Sequence, residues 1–189
     1  MKIIKISKSY VAYHGTKDKS LSIFDISFSG KGHDQEGPGV YFTSSEDDAR
    51  GYGSQGKVLK VRLNLNKVVP LKGKANSEEV KKLILWSLGI TSEEELENVS
   101  DEKFYESNLS NFGEDIYSGF RDCLNSVIKY SKSPHDCFMT VWYELYRNVP
   151  TDYLKNMVKL GYDGVIIPKV GCYHYVVFNI NAIEILEMD

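Results

Sequence analysis

Three features of the sequence predict an α+β fold. Residues 57–65, Lys57-Val58-Leu59-Lys60-Val61-Arg62-Leu63-Asn64-Leu65, alternate polar and apolar side chains, the period-two pattern of a strand with one buried face. From Asn76 to about Leu160 the apolar spacing becomes helical, and short β-branched and aromatic runs return between Val165 and Leu186. Strand segments thus flank a mainly helical insertion at about 76–160, all within a single domain spanning 1–189.

Tyr10 to His14 mixes aromatic and β-branched residues and stops at Gly15-Thr16, so it reads as a strand running into a turn. Residues 17–38 follow as a loop carrying Gly30, Gly32, Gly37 and Pro38 with Asp34, Gln35 and Glu36 among them. A connection this long in a compact domain is usually functional, and here it reads as a lid. Val40 to Thr43 is a short strand. Ser44 or Ser45 then supplies an N-cap, and Glu46, Asp47 and Asp48 the first-turn acids, of a short helix through Tyr52 that Gly53 ends. The strand at 57–65 closes with Val68-Val69-Pro70-Leu71.

Within the insertion, helices are predicted over 77–88, 92–98, 115–129, 136–147 and 151–160, with Ser77, Ser92 and Thr151 at their starts. Gly161 ends the last of these in the left-handed conformation that glycine tolerates. Val165-Ile166-Ile167 is a buried strand broken by Pro168, and 173–178 and 183–186 are the closing strands.

Composition removes several classes of function. Twenty-three Lys+Arg against 26 Asp+Glu give a net charge of −3, which lends no support to a broad grip on nucleic acid phosphates. The longest apolar runs, Gly164 to Ile167 and Tyr175 to Phe178, are far too short for a membrane span, and the start of the chain lacks the apolar core of a signal peptide. The expected compartment is the cytoplasm. Cys123, Cys137 and Cys172 are an odd number without a C-x-x-C pair, which argues against a disulfide framework and a standard zinc site. His135, Cys137, Cys172 and His174 offer ligand atoms, but at spacings that match no usual site, so no metal is expected.

Side chains alternate along a strand, so His14, Tyr41 and His174 each have a definite face. If their strands are neighbours, the three can share one wall. Tyr52 lies three residues after Ala49 on the short helix, and such positions share a helix face. A histidine ahead of a glycine is, taken alone, more often a local structural residue. The run from Gly37 to Gly53 is more specific, because an aromatic strand, a capped helix and a tyrosine at fixed distance must coincide; its plain alternative is a strand-helix turn with core aromatics.

Together these residues resemble the ADP-ribosyltransferase superfamily, on the side of poly(ADP-ribose) polymerases and diphtheria toxin, in a bacterial or phage-type member. Tyr13-His14-Gly15-Thr16 is similar to that family's His-Gly-Ser/Thr segment. Gly39-Val40-Tyr41-Phe42-Thr43 with Ala49 and Tyr52 is similar to its Gly-x-Tyr-Phe strand, small residue and second tyrosine. Gly161-Tyr162-Asp163-Gly164-Val165 and Tyr175-Val176-Val177-Phe178-Asn179 resemble the closing strands. The resemblance implies a split β-sheet core and leaves the helical insertion unexplained.

It also implies NAD as substrate, bound bent. Gly15 would hold the nicotinamide amide through its backbone, Tyr41 and Tyr52 would stack on the ring, His14 would hold an adenosine-ribose hydroxyl, and Thr16 would add a second hydroxyl contact. Cleaving the nicotinamide-ribose bond builds positive charge on the sugar, so the site should be aromatic, dry and free of nearby fixed cations. Two positions depart from the family pattern. Ala49 replaces a serine that bonds the nicotinamide amide in many relatives, and His174 stands where the third motif places a glutamate. Neutral His174 can still accept a ribose hydrogen bond, whereas its protonated form would oppose the developing cation. Glu184, Glu36 or Asp34 are the alternative carboxylates.

The expected function is therefore an NAD-dependent mono-ADP-ribosyltransferase acting on a macromolecule, protein more than nucleic acid, with the insertion recognising the target. The alternatives are a non-enzymatic NAD or ADP-ribose binding module and an NAD glycohydrolase. A bacterial toxin or effector, a phage protein acting in a host cytosol and a housekeeping modifier all fit such a chain.

Overall fold

The computed structural model describes residues 8–29, 36–54, 56–92, 94 and 120–188. The chain divides into two compact units, Met1–Val69 with Met157–Asp189, and Pro70–Asn156.

The first unit is built on one six-stranded sheet. Its strands are β1 (Lys8–Thr16), β2 (Val40–Thr43), β3 (Lys57–Leu65), β4 (Gly164–Pro168), β5 (Tyr173–Val177) and β6 (Ile183–Met188). They lie in the order β4-β5-β2-β1-β3-β6, with every neighbouring pair antiparallel. The alternation in β3 has the predicted consequence: Leu59, Val61, Leu63 and Leu65 are buried with Ala12, Phe42, Tyr175 and Val177 in one apolar cluster. Each such side chain contributes about 1.5 to 3 kcal/mol by leaving water. On the opposite face of β3, Lys60 and Arg62 form exposed ion pairs with Glu187 and Glu184 of β6 at 2.9 and 2.7 Å. Exposed pairs of this kind stabilise little.

The predicted split lies between β1 and β2. β1 pairs with β3 continuously from Lys8↔Leu65 to Thr16↔Lys57, but it meets β2 at Tyr13↔Thr43 alone. The short helix α1 (Glu46–Gly53) is capped by Ser45, whose hydroxyl accepts from the Asp48 N–H. It packs against β1 at Gly15, where a Cβ would come within 1.8 Å of the Ala49 carbonyl oxygen. Gly53 is the last residue of α1 and lies close against β1, where a Cβ would come 3.2 Å from the Thr16 nitrogen. The left-handed cap falls to Ser54, at φ 42°.

Asp163 ties the far side of the sheet together. Its buried carboxylate accepts from the N–H groups of Asn66 and Lys67 at 2.7 and 3.2 Å and from the Asn179 amide at 2.8 Å. The Tyr162-Asp163-Gly164 segment read as a motif is thus a structural clasp. Gly164 must be glycine because a Cβ would lie 2.4 Å from the Val176 carbonyl oxygen.

The second unit is helical. It holds α2 (Ser77–Ser87), α3 (Phe120–Tyr130), α4 (Pro134–Val141) with a π-helical turn at Trp142–Tyr146, and the start of α5 (Pro150–Lys159). Leu83, Ile84, Leu85, Phe138, Val141, Tyr146, Tyr153 and Leu154 are fully or almost fully buried. The Tyr146 hydroxyl donates to the Leu83 carbonyl at 2.5 Å and accepts from the Asn156 amide at 3.1 Å. Asn76, not Ser77, caps α2, because its side-chain oxygen reaches the N–H groups of both Glu78 and Glu79. Most of the predicted helix at 92–98 and the start of that at 115–129 lie outside the described residues. Gly161 ends α5 at φ +86° as expected. No helix among the described residues is long and apolar enough to cross a membrane.

Candidate active site

The parting of β1 from β2 opens into a cavity of about 530 Å³. Its walls include Tyr13, His14, Gly15, Tyr41, Ala49 and Tyr52, with Glu36, Lys169 and His174 at the charged end. Thr16 does not line it; its hydroxyl accepts from the Asp18 N–H in the following turn, at 3.1 Å.

The expectation that His14, Tyr41 and His174 share one wall needs correction. The register Tyr13↔Thr43 together with Thr43↔His174 places Tyr13, Tyr41, Thr43 and His174 on one face of the sheet. His14 belongs to the other face, with Phe24 edge-on at 5.2 Å between ring centroids and Phe42 at 5.5 Å. It reaches the cavity because the ladder stops after one pair. Where backbone pairing would continue, the His14 ring donates from Nδ1 to the Tyr41 carbonyl at 2.7 Å. Burial lowers its pKa below the ordinary 6.5, against a smaller upward pull from that hydrogen bond. The ring is therefore neutral near pH 7, and with the proton on Nδ1 its Nε2 is an acceptor.

Tyr41 turns its hydroxyl to the loop before β2. It donates to the Gly37 carbonyl at 2.5 Å and accepts from the Glu36 N–H at 3.3 Å. That clamp holds Glu36, whose carboxylate meets Nδ1 of His174 at 3.1 and 3.2 Å. On its other side, His174 Nε2 lies 3.3 Å from Asp48 Oδ2 in the first turn of α1. Tyr52, 65% exposed, stands edge-on to the same imidazole at 6.3 Å between centroids. Lys169 forms an ion pair with Glu36.

Two expectations change here. The site has a fixed cation, Lys169, though Glu36 answers its charge. His174 is not an isolated neutral stand-in for an acid, since a carboxylate faces each ring nitrogen. Two carboxylates, Glu36 and Asp48, and one ammonium, Lys169, surround this end of the cavity. Of the alternative carboxylates, Glu36 is at the site, Glu184 is paired with Arg62 between β3 and β6, and Asp34 lies outside the described residues.

In this parted sheet, with α1 seated on Gly15, the motif residues His14, Gly15, Tyr41, Ala49 and Tyr52 line one cavity. The family described as ADP-ribosyltransferase in polyvalent proteins matches residues 8–185. The chain belongs to this family. Comparison with curated proteins and with solved structures gave no match.

Several residues in or beside this cavity escape sequence reasoning. Asp48 reads as an ordinary first-turn acid, and only the tertiary packing of α1 beside β5 brings it to His174. Lys169 sits in the turn between β4 and β5, where no pattern marks it, and Cys172 of the same turn stands out in the sequence only as a possible ligand alongside His135, Cys137 and His174. Tyr13 was visible only as the neighbour of His14, yet the register puts it on the face of Tyr41 and His174.

Proposed function

We propose that this ADP-ribosyltransferase takes NAD as donor and transfers one ADP-ribose to a macromolecular acceptor, a protein in preference to nucleic acid, in the cytoplasm of its own or a host cell. The observation that carries this reading is the convergence of His14, Gly15, Tyr41, Tyr52 and His174 on one cavity at the parting of the sheet. The bound dinucleotide supplies a glycosidic bond whose cleavage leaves positive charge on the ribose.

The residues fit that task. His14 Nε2 accepts from a ribose hydroxyl, an orientation set by its hydrogen bond to Tyr41. Gly15 exposes backbone that no side chain can cover, since a Cβ there is forbidden by Ala49. The Tyr41 and Tyr52 rings offer planar surfaces to nicotinamide. Ala49 keeps the cavity floor small but supplies no hydroxyl, which forgoes one contact typically worth about 0.5 to 1.5 kcal/mol.

Glu36 takes the electrostatic part of the missing glutamate. A carboxylate about 4 Å from a full positive charge contributes about 4 kcal/mol at an effective dielectric near 20, nearly three powers of ten in rate. Lys169 offsets part of this. Elongation into a polymer needs a carboxylate free to activate an incoming hydroxyl, whereas Glu36 is engaged by Lys169 and His174. The net charge of −3 favours a protein acceptor over nucleic acid.

Incubation with NAD labelled in the adenosine moiety, alone and with cell extract, tests the proposal. Label on protein is the expected result. Free labelled ADP-ribose alone would make the protein a glycohydrolase, binding without turnover would make it a binding module, and no binding would overturn the reading of the cavity.

A further inference from the structure

Beside the cavity, Asp48, Cys172 and His174 each aim one ligand atom at a common point. Their Oδ, Sγ and ring nitrogen all lie within 4.8 Å of one another. His174 Nε2 is 3.3 Å from Asp48 Oδ2, and Cys172 Sγ is 4.0 Å from the same oxygen. A tetrahedral zinc ion, with bonds of about 2.0 Å to nitrogen and oxygen and about 2.3 Å to sulfur, separates its ligand atoms by about 3.3 to 3.6 Å. The His174–Asp48 pair already has this spacing, whereas Cys172 Sγ must close by about 0.5 Å on Asp48 and by at most about 1.3 Å on His174.

A second observation points the same way. Glu36 accepts from Nδ1 of His174, and Nε2 of the same ring faces Asp48 Oδ2. Across 3.3 Å, either a proton or a metal ion satisfies both Nε2 and Oδ2, so this is a position that a cation can take. A carboxylate on the far nitrogen is also how metal-binding histidines are usually oriented. Lys169 does not fill the gap, since its partner is Glu36.

The scaffold is held before any ion arrives. The Ser44 N–H donates to the Tyr173 carbonyl at 2.9 Å, and the Tyr173 N–H donates to Ser44 Oγ at 2.9 Å. These bonds lock the start of β5, which carries His174 and adjoins Cys172, to the entry of α1, which carries Asp48. Cys172 is a free, half-buried thiol. One thiolate, one carboxylate and one neutral imidazole balance a dication, and the mixture of soft and nitrogen ligands favours zinc over magnesium or calcium.

We propose that Asp48, Cys172 and His174 form a three-ligand zinc site, oriented by Glu36, and that zinc there restrains the transferase. Binding forms the Zn–S bond as the Cys172 thiol proton leaves to solvent, and a fourth coordination position stays open. The restraint rests on the NAD reading of the cavity: a dication on His174 opposes the positive charge that develops on the ribose. The zinc site itself does not rest on that reading.

The test uses untagged full-length chain, freed of metal and titrated with Co²⁺. The expected result is one ion bound per chain, with a thiolate-to-cobalt absorption band that Zn²⁺ displaces and that Cys172→Ser abolishes while circular dichroism stays unchanged. Asp48→Asn should weaken binding, and Glu36→Gln should lower affinity about 10- to 100-fold. A band that survives Cys172→Ser, or no binding by the folded wild-type chain, overturns the site. In a second arm, zinc should slow nicotinamide release by wild type and leave Cys172→Ser untouched; equal inhibition of both overturns the restraint. Cobalt binding without any nicotinamide release in metal-free protein would sink the NAD reading and leave the zinc site standing.

Discussion

The two edges of β1 behave differently. On the β3 side the strand is paired along its whole length and its inward residues join the apolar cluster; on the β2 side it is paired at Tyr13↔Thr43 alone. The closed seam holds the fold. The open one leaves backbone and side chains unpaired by the ladder, and His14, Gly15, Tyr41 and Glu36 occupy that space. Stability and chemistry are therefore carried by opposite edges of a single strand, and substitutions at the two should separate them.

The largest effect belongs to the closed seam. Leu63→Ala should cost about 2 to 5 kcal/mol, measured by urea unfolding, because Leu63 is fully buried and the site cannot collapse around the cavity left behind. NAD affinity of the folded fraction should not change; a weakened affinity would mean that the two edges are coupled. At the open seam, Glu36→Gln should reduce the rate of nicotinamide release about 100-fold, roughly 2.7 kcal/mol, with little shift in melting temperature. An unaltered rate would remove Glu36 from the account.

Tyr52→Ala should weaken NAD binding by about 1 to 3 kcal/mol, read by calorimetry, through loss of a stacking surface. Stability should hold because the ring is 65% exposed. The smallest effect concerns His14. Its folded pKa lies below 6.5, so between the two values the unfolded chain holds a proton that the folded chain lacks. This contribution to stability is complete above about pH 6.5 and is lost as the pH falls toward the lowered value. His14→Gln should show a shallower fall in melting temperature on acidification than wild type; parallel profiles would mean that His14 is not held neutral by burial.

Local pattern made most of the framework legible. The alternation in β3, the aromatic run of β2 and the serine cap of α1 each depend on near neighbours in sequence, and the structure places them at the predicted residues. The motif residues His14, Gly15, Tyr41, Ala49 and Tyr52 were legible because their chemistry repeats at fixed spacing in a known family. Register was not legible. Period two gives each strand two faces but does not say which faces of different strands coincide, so His14 was assigned to the wall of Tyr41 and His174. Nor could spacing reveal Asp48 beside His174, since 126 residues separate two groups that packing of α1 brings together. Gly53 reads as a helix stop, while the helix runs through it and the left-handed residue is Ser54.

The central claim is that NAD enters where β1 parts from β2, between His14 on one face of the sheet and His174 on the other. Imidazole resonances report this directly, because the chain has only four histidines. Titration with NAD should shift the ring signals of both His14 and His174, assigned through His14→Gln and His174→Gln. Signals from both rings that stay in place at millimolar NAD would contradict the claim.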